Sequence, residues 1–376
     1  MKRKKLAIVV TEDWVFVSHR LALGIAAKKE GFDVVVITRC KKFKNKIIKS
    51  GLRLINLKIN RSEKSIIGLA KESFELFKIY KKENPNLVHH VGLRPIIIGS
   101  IASKIAGIKN TVATFTGMGF LFTNERKSSF ISKILMFFLP WLLKDSFVSA
   151  QNKEDYNFLK INGIKKEKIQ LIKGAGVNLN KYKYVPEPKG VPVVLMHSRI
   201  LWDKGVSEFI EAARLCQKLK CNSKFVLAGM PDPKNPSSVP KKIWKKWRQD
   251  KTVNCIGHKT QKQLMDILPK SSIVCLPSYR EGVPKSLLEG ISCGRPIVAT
   301  NIAGCREVVR QGVNGYLVPP KKSWLLAKAI IKLAKNFQQR RKMGQLSRKI
   351  AEQKFSEEII NKKTILLYKK VLLNNK

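Results

Sequence analysis

The stretch LPSYREGVPKSLLEGISCGRPIVATNIAG, residues 276–304, decides the fold. It continues the apolar run Ile273-Val274-Cys275-Leu276, breaks at Pro277-Ser278 and loops to Pro284, a residue suited to the first turn of a helix because its missing N–H needs no partner there. Leu287, Leu288 and Ile291 then form one helical stripe, the helix ends near Gly294, and Ile297-Val298-Ala299 begins a second apolar strand after Pro296. A strand, loop, helix, strand unit of this kind belongs to a parallel sheet, and its loop lies at the carboxyl edge, where open α/β sheets bind ligands. Two carboxylates bracket that loop: Glu281 inside it and Glu289 two turns later.

The same alternation extends in both directions. Upstream, strands are expected at 6–10, 33–38, 53–57, 87–90, 112–115 and 147–150, with helices to about 29 and at 64–82, 95–106 and 128–144. Around the opening stretch, strands fall at 193–197, 225–228, 253–256, 273–276, 297–300 and 316–318, with helices at 206–219, 260–268, 284–292 and 323–336. Between the two series, GAGVNLNKYKYVPEPKGVP (174–192) has no helical period and carries three prolines, which marks a linker. The chain thus reads as α/β, two doubly wound parallel-sheet domains facing a central cleft: 1–175 and 190–355, with 356–376 a final helix.

Length agrees, since 376 residues exceed what one hydrophobic core usually supports. A hydrophobic content of 44% excludes general disorder, and a net charge of +48 predicts attraction to polyanions such as nucleic acid, an anionic membrane or acidic substrates. Behind MKRKK the apolar run Leu6–Val10 is too short for a signal peptide, and no stretch reaches the roughly 18 apolar residues of a membrane span. Seven cysteines without CxxC spacing point to a reduced, cytosolic setting and to neither a zinc site nor a disulfide framework.

Glu281 and Glu289, with seven residues between them in EGVPKSLLE and followed by GRPIVAT, resemble the signature of the family 4 retaining glycosyltransferases, which have the GT-B architecture of two Rossmann-like domains. The resemblance implies a nucleotide-sugar donor, with Glu281 on the hydroxyls of the donor sugar and Glu289 on the 2′- and 3′-hydroxyls of the ribose. A carboxylate suits the task because it accepts two vicinal O–H donors through strong, charge-assisted bonds. The resemblance also covers SRILWDKG (198–205), and there it implies that Arg199 and Lys204 clamp the donor diphosphate. Fixed cations stabilise the charge that gathers on the leaving group, so neither a metal nor a cofactor is expected. Glu281, Arg199 and Lys204 form the expected catalytic set. Backbone N–H groups of Gly282 and Val283 are expected at the phosphate or sugar, and Gly304 either allows close approach or caps a turn. Nucleobase contacts are expected in the loops that begin at Gly229 and at Gly257, next to His258. The final helix is expected to cross back onto the first domain, as in the resembled family.

In the first domain, Ser18 and Arg20 of VFVSHRLALGIAA follow the first strand and are candidates for acceptor or diphosphate, as is His90 of HHVGLRP. In TFTGMGFLF, Thr114-Phe115-Thr116-Gly117 stands near the fifth strand, where many family 4 members place a donor-binding His, a departure that resembles the subgroup extending lipid-linked oligosaccharides in bacterial surface-glycan assembly; Gly117 and Gly119 either admit a ligand or make a tight turn. The segment RKSSFISKILMFFLPWLLK (126–144) is apolar on more than one face between cations, and reads equally as a core helix or as one lying in an anionic membrane interface. Lys41, Lys42, Lys44 and Lys46 favour the membrane.

The resulting expectation is a metal-independent retaining transferase, peripheral on the inner face of the cytoplasmic membrane. It would move a hexose or N-acetylhexosamine from a UDP-sugar to a polyprenyl-diphosphate-linked saccharide. One alternative is a nucleotide-sugar 2-epimerase of the same fold. The other is a nucleic-acid-binding protein, against which the dispersal of the cations speaks.

Overall fold

The computed structural model describes residues 3–58, 65–117 and 130–374, with 130–136 described through their backbone. The first sheet is built by β1 (Lys5–Glu12), β2 (Asp33–Arg39), β3 (Arg53–Asn56), β4 (Leu87–Val91), β5 (Thr111–Thr114), β6 (Phe147–Ala150) and β7 (Ile169–Leu171), in the spatial order 3-2-1-4-5-6-7. Between them run α1 (Asp13–His19), α2 (Leu21–Lys29), α3 (Lys44–Lys49), α4 (Ile66–Glu83), α5 (Leu93–Ala106), α6 (Phe130–Leu143) and α7 (Lys153–Ile161).

The second sheet comprises β8 (Val193–His197), β9 (Lys224–Ala228), β10 (Asn254–Gly257), β11 (Ile273–Leu276), β12 (Ile297–Thr300) and β13 (Gly315–Val318), in the order 10-9-8-11-12-13. Its helices are α8 (Val206–Lys218), α9 (Lys241–Gln249), α10 (Gln261–Ile267), α11 (Lys285–Ser292), α12 (Ala303–Val308), α13 (Ser323–Ala334) and α14 (Phe337–Lys354), and α15 (Glu357–Leu373) ends the chain.

The strand pairings are parallel in both sheets. A parallel ladder needs a crossover between consecutive strands, so helices cover both faces and the strands become continuous apolar runs. Leu6–Val10 of β1 and Ile273–Leu276 of β11 are buried throughout. In each sheet the order reverses beside the first strand, at β1 against β4 and at β8 against β11. Within each sheet, the two loops that leave this pair of strands therefore diverge to opposite faces, which is where a doubly wound sheet opens a crevice.

The chain forms two compact units, Met1–Ala175 with Glu357–Lys376, and Gly176–Ser356. Helix α15 joins the first: its Ile360, Ile365, Leu367, Tyr368 and Val371 are buried with Leu6, Ile8 and Phe32. The linker reading of 174–192 needs correction. Val177 donates its N–H to Phe355 O at 2.8 Å and Tyr182 is buried in the second core, so most of this stretch is an arm of the second unit. It lacks a period because side-chain and backbone hydrogen bonds, not a repeat, hold it down.

Elements that periodicity did not show are β7, α3, α7, α9, α12 and α14. Strand β7 has only three residues. In α14 the buried stripe mixes Arg340, Gly344 and Ser347 with Met343, Ile350 and Ala351, so polarity hides the stripe.

Helix α6 covers 130–143 of the segment 126–144, of which 126–129 lie outside the described residues, and one of its faces packs as the core-helix reading expects. Leu139 and Leu143 join a core with Ala113, Phe115 and Val148, whereas Phe137 is 79% exposed and Trp141 57%. Lys41 is not a free membrane cation, since its Nζ lies 2.7 Å from Glu12. Among the described residues, no helix is long and apolar enough to cross a membrane.

Candidate functional site

The loop after β8 runs from Ser198 through a 3-10 turn, Trp202–Lys204, to Gly205, which has a left-handed backbone (φ 70°) and starts α8. A Cβ at Gly205 would overlap the carbonyl oxygen of Pro277, the residue that follows β11. Glycine here is what lets the two loops touch. The Tyr279 N–H then donates to Asp203 O at 2.9 Å, and Arg280 grips the Asp203 carboxylate through Nε at 3.1 Å and Nη2 at 2.7 Å. Gly304 does the same on the other flank, where a Cβ would overlap the carbonyl oxygen of Gly282.

These constraints bring the expected charges together. Lys204 Nζ is ion-paired with Glu281 Oε1, and Ser278 Oγ donates to the same oxygen at 2.8 Å. Arg199 Nη1 lies 2.9 Å from Asp232 Oδ2. Each cation of the loop is thus held by a carboxylate, which fixes its position before any ligand must do so.

Glu289 is not on a solvated helix face. It is 5% exposed, in a helix buried from Leu287 through Ser292. Its Oε1 accepts a hydrogen bond from Tyr182 Oη at 3.0 Å, and its Oε2 lies 3.7 Å from His197 Nδ1. The other His197 nitrogen, Nε2, lies 3.2 Å from Ser286 O. A carbonyl only accepts, so this contact assigns the proton of a neutral ring to Nε2. Burial pushes the His197 pKa down, opposed by the neighbouring Glu289.

Of the other expected residues in this unit, Gly282 and Gly229 are buried, and the Gly229 N–H is already taken by Gly257 O at 2.8 Å. The Gly229 N–H is therefore engaged within the fold. Val283 and Gly257 are partly exposed, and His258 is exposed.

In the first unit, Ser18 and His19 are partly exposed, with Ser18 Oγ 2.6 Å from His19 Nδ1. Arg20 is 3% exposed, its Nε has no hydrogen-bond partner among the described residues, and burial lowers its pKa. Thr116 is exposed and Gly117 adopts φ 125°. Gly119 lies outside the described residues.

His90 needs correction as a cleft residue. It is fully buried against Tyr80, whose hydroxyl is 2.9 Å from Nε2, and burial takes its pKa down to about 3. The strand alternates, so His89 faces the opposite side, also buried, between Tyr368 Oη at 2.6 Å and Thr114 Oγ1 at 2.7 Å.

Sequence reasoning missed Tyr182, His197, Ser278, Asp203 and Asp232. None has a periodic or spacing signal, since each is defined by a partner between 3 and 107 positions away. Among the described residues, no three His, Cys, Asp or Glu side chains converge to hold a metal ion.

Comparison with known proteins gives this arrangement its context. Residues 180–350 match the family described as Glycosyl transferases group 1, and residues 5–152 the family described as Glycosyl transferase 4-like. The chain is 29% identical over 373 residues to the N,N'-diacetylbacillosaminyl-diphospho-undecaprenol alpha-1,3-N-acetylgalactosaminyltransferase of Campylobacter jejuni, covering 94% of this chain and 96% of that one. It is 27% identical to the UDP-Gal:alpha-D-GlcNAc-diphosphoundecaprenol alpha-1,3-galactosyltransferase of Escherichia coli, covering 68% and 67%.

Among solved structures, a glycosyltransferase of Rickettsia africae superposes with a TM-score of 0.78 at 20% identity over 99% of both chains. An Anabaena protein in complex with UDP and glucose superposes with a TM-score of 0.77 at 18% identity, over 98% of this chain and 100% of that one. The epimerase and nucleic-acid readings find no support in these comparisons. With both halves matched and both sheets of the expected kind, the chain belongs to the family 4 type of GT-B glycosyltransferases.

Proposed function

We propose that this chain retains anomeric configuration, needs no metal, and transfers a hexose or N-acetylhexosamine from a UDP-sugar to a polyprenyl-diphosphate-linked saccharide at the inner face of the cytoplasmic membrane. The observation that carries this reading is the convergence of Lys204 and Glu281 across the loops after β8 and β11. When the glycosidic bond breaks, its electron pair leaves with the diphosphate. Lys204 and Arg199 stabilise that charge as a divalent ion does elsewhere. Glu281 accepts hydroxyls of the donor sugar, and Glu289 accepts those of the ribose. The acceptor hydroxyl attacks from the side the diphosphate leaves, and its proton passes to the departing phosphate oxygen.

The named acceptors of the Campylobacter and Escherichia relatives support a lipid-linked diphosphate saccharide. The outward Phe137, Phe138 and Trp141 of α6, with Lys104 Nζ 5.0 Å from the Trp141 ring centre, support a membrane surface as its place of work.

The test is to incubate the chain with a panel of UDP-sugars and a polyprenyl-diphosphate-linked N-acetylhexosamine in excess EDTA, and to read the product's anomeric configuration by NMR. An α-linked product from an α-donor is expected. An inverted product sinks the retaining mechanism, and loss of transfer in EDTA sinks metal independence. A new C2 epimer formed without acceptor returns the epimerase.

A further inference from the structure

The arm that follows the unit boundary is pinned to the second unit at three successive points. Arg348 Nη1 donates to Tyr182 O at 3.0 Å and to Ser292 O at 2.9 Å, so one guanidinium ties the arm to the end of α11. Arg295 Nη2 donates to Val185 O, and Arg340 Nε pairs with Glu187 Oε1 at 2.7 Å, with both side chains about 5% exposed or less. A chain segment that merely connected two bodies would not need three buried or half-buried guanidinium groups to hold it. The side chain that this fastening places inward is Tyr182, and its hydroxyl ends on Glu289 Oε1.

We propose that Tyr182 is a positioning residue for Glu289, so that the arm, and not α11 alone, sets how tightly the ribose of the donor is held. The inference rests on the reading of Glu289 as the ribose-binding carboxylate. A glutamate carboxylate turns about its terminal torsion, which has a broad minimum. One hydrogen bond from a hydroxyl that is itself fixed stops that rotation.

Oε1 then spends one acceptor site on Tyr182. Oε2 is left facing His197 Nδ1, a nitrogen that carries no proton in the tautomer assigned above. A carboxylate has about four acceptor sites, so a vicinal pair of O–H donors still finds places on it. Tyr182 thus fixes the direction of the remaining sites without filling them.

The test is calorimetric binding of UDP and of 2′-deoxy-UDP to wild type, Tyr182→Phe and Glu289→Gln, beside the thermal unfolding midpoint of each. Wild type is expected to prefer UDP. Tyr182→Phe is expected to weaken UDP binding by about tenfold, the scale of one charge-assisted hydrogen bond, and to narrow the preference for UDP over 2′-deoxy-UDP. A packing defect alone would weaken both ligands equally, and that outcome overturns the proposal.

If Tyr182→Phe keeps the wild-type preference while Glu289→Gln loses it, the inference fails and the ribose reading stands. If Glu289→Gln also keeps it, the ribose reading fails and takes the inference with it. Should Tyr182→Phe not fold, Arg348→Lys loosens the same arm from outside, and an unchanged UDP preference in that variant overturns the proposal as well.

Discussion

The two sheets share one topology but spend their polar residues differently. Beside the reversal point of the first sheet, β4 carries two adjacent histidines that are both sealed inside, one under Tyr80 of α4 and one under Tyr368 of α15. Beside that of the second, β11 is apolar throughout and β8 up to its last residue, His197, and the ion pairs sit in the loops beyond them, as Lys204 on Glu281 and Arg199 on Asp232. Buried polar groups need partners and do not turn over, so those of the first sheet act as fasteners. Half-buried pairs at an edge can exchange partners with a ligand, so those of the second sheet suit binding. The same fold therefore yields a sealed polar interior in one place and a half-buried charged rim in the other.

Four changes would break or sharpen that contrast. Lys204→Ala should have the largest effect, slowing sugar transfer by about 10²- to 10³-fold, the scale of one lost charge-stabilising donor. Its unfolding midpoint should stay within a few degrees of wild type, and a collapse of stability with activity intact would reverse the assignment.

Tyr368→Phe should do the opposite. It leaves His89 Nδ1 buried without its partner, costing about 1–3 kcal/mol of stability, with UDP affinity unchanged by calorimetry.

Next comes pH. Burial lowers the folded-state pKa of His89, His90 and His197 below the ordinary value of 6.5. Between the two values the unfolded chain binds more protons, so stability is present above about pH 6.5 and is lost as the pH falls. For His90 the loss continues down to about pH 3. Each histidine contributes a slope of about 1.4 kcal/mol per pH unit within its window. Urea midpoints measured from pH 7.5 to 5 should fall, and His90→Asn should flatten the curve.

The smallest effect is expected on the surface. Phe137→Ser with Trp141→Ser should reduce binding to anionic liposomes severalfold, while leaving UDP binding and the unfolding midpoint in place. Unaltered co-sedimentation would remove α6 from the membrane reading.

Much of the architecture was legible because parallel strands advertise themselves. Val193–His197, Ile273–Leu276 and Ile297–Thr300 match the expected boundaries residue for residue, since continuous apolar runs between turn residues have few other uses in a chain of this size. Polar helices such as α14 stayed hidden, because their inward stripe is made of small and charged residues whose burial depends on distant partners. The candidate site divided along the same line. Glu281, Arg199 and Lys204 were singled out by local motifs, and the fold sets Lys204 against Glu281. His90 was misassigned because an alternating strand does not say which of its faces a tertiary neighbour will cover.

By itself, then, the sequence determined the order of twelve of the thirteen described strands and of the more apolar helices, the two-domain plan, and the loops in which the charged residues stand, because these depend on local period and spacing. Only the tertiary structure decided that Lys204 meets Glu281, that the arm at 176–192 reaches across to hold Glu289, and that the histidines of β4 are interior. Such facts depend on pairings between residues far apart in the chain, and the energy of a charged or polar side chain is set by the partner it meets, not by its neighbours in sequence.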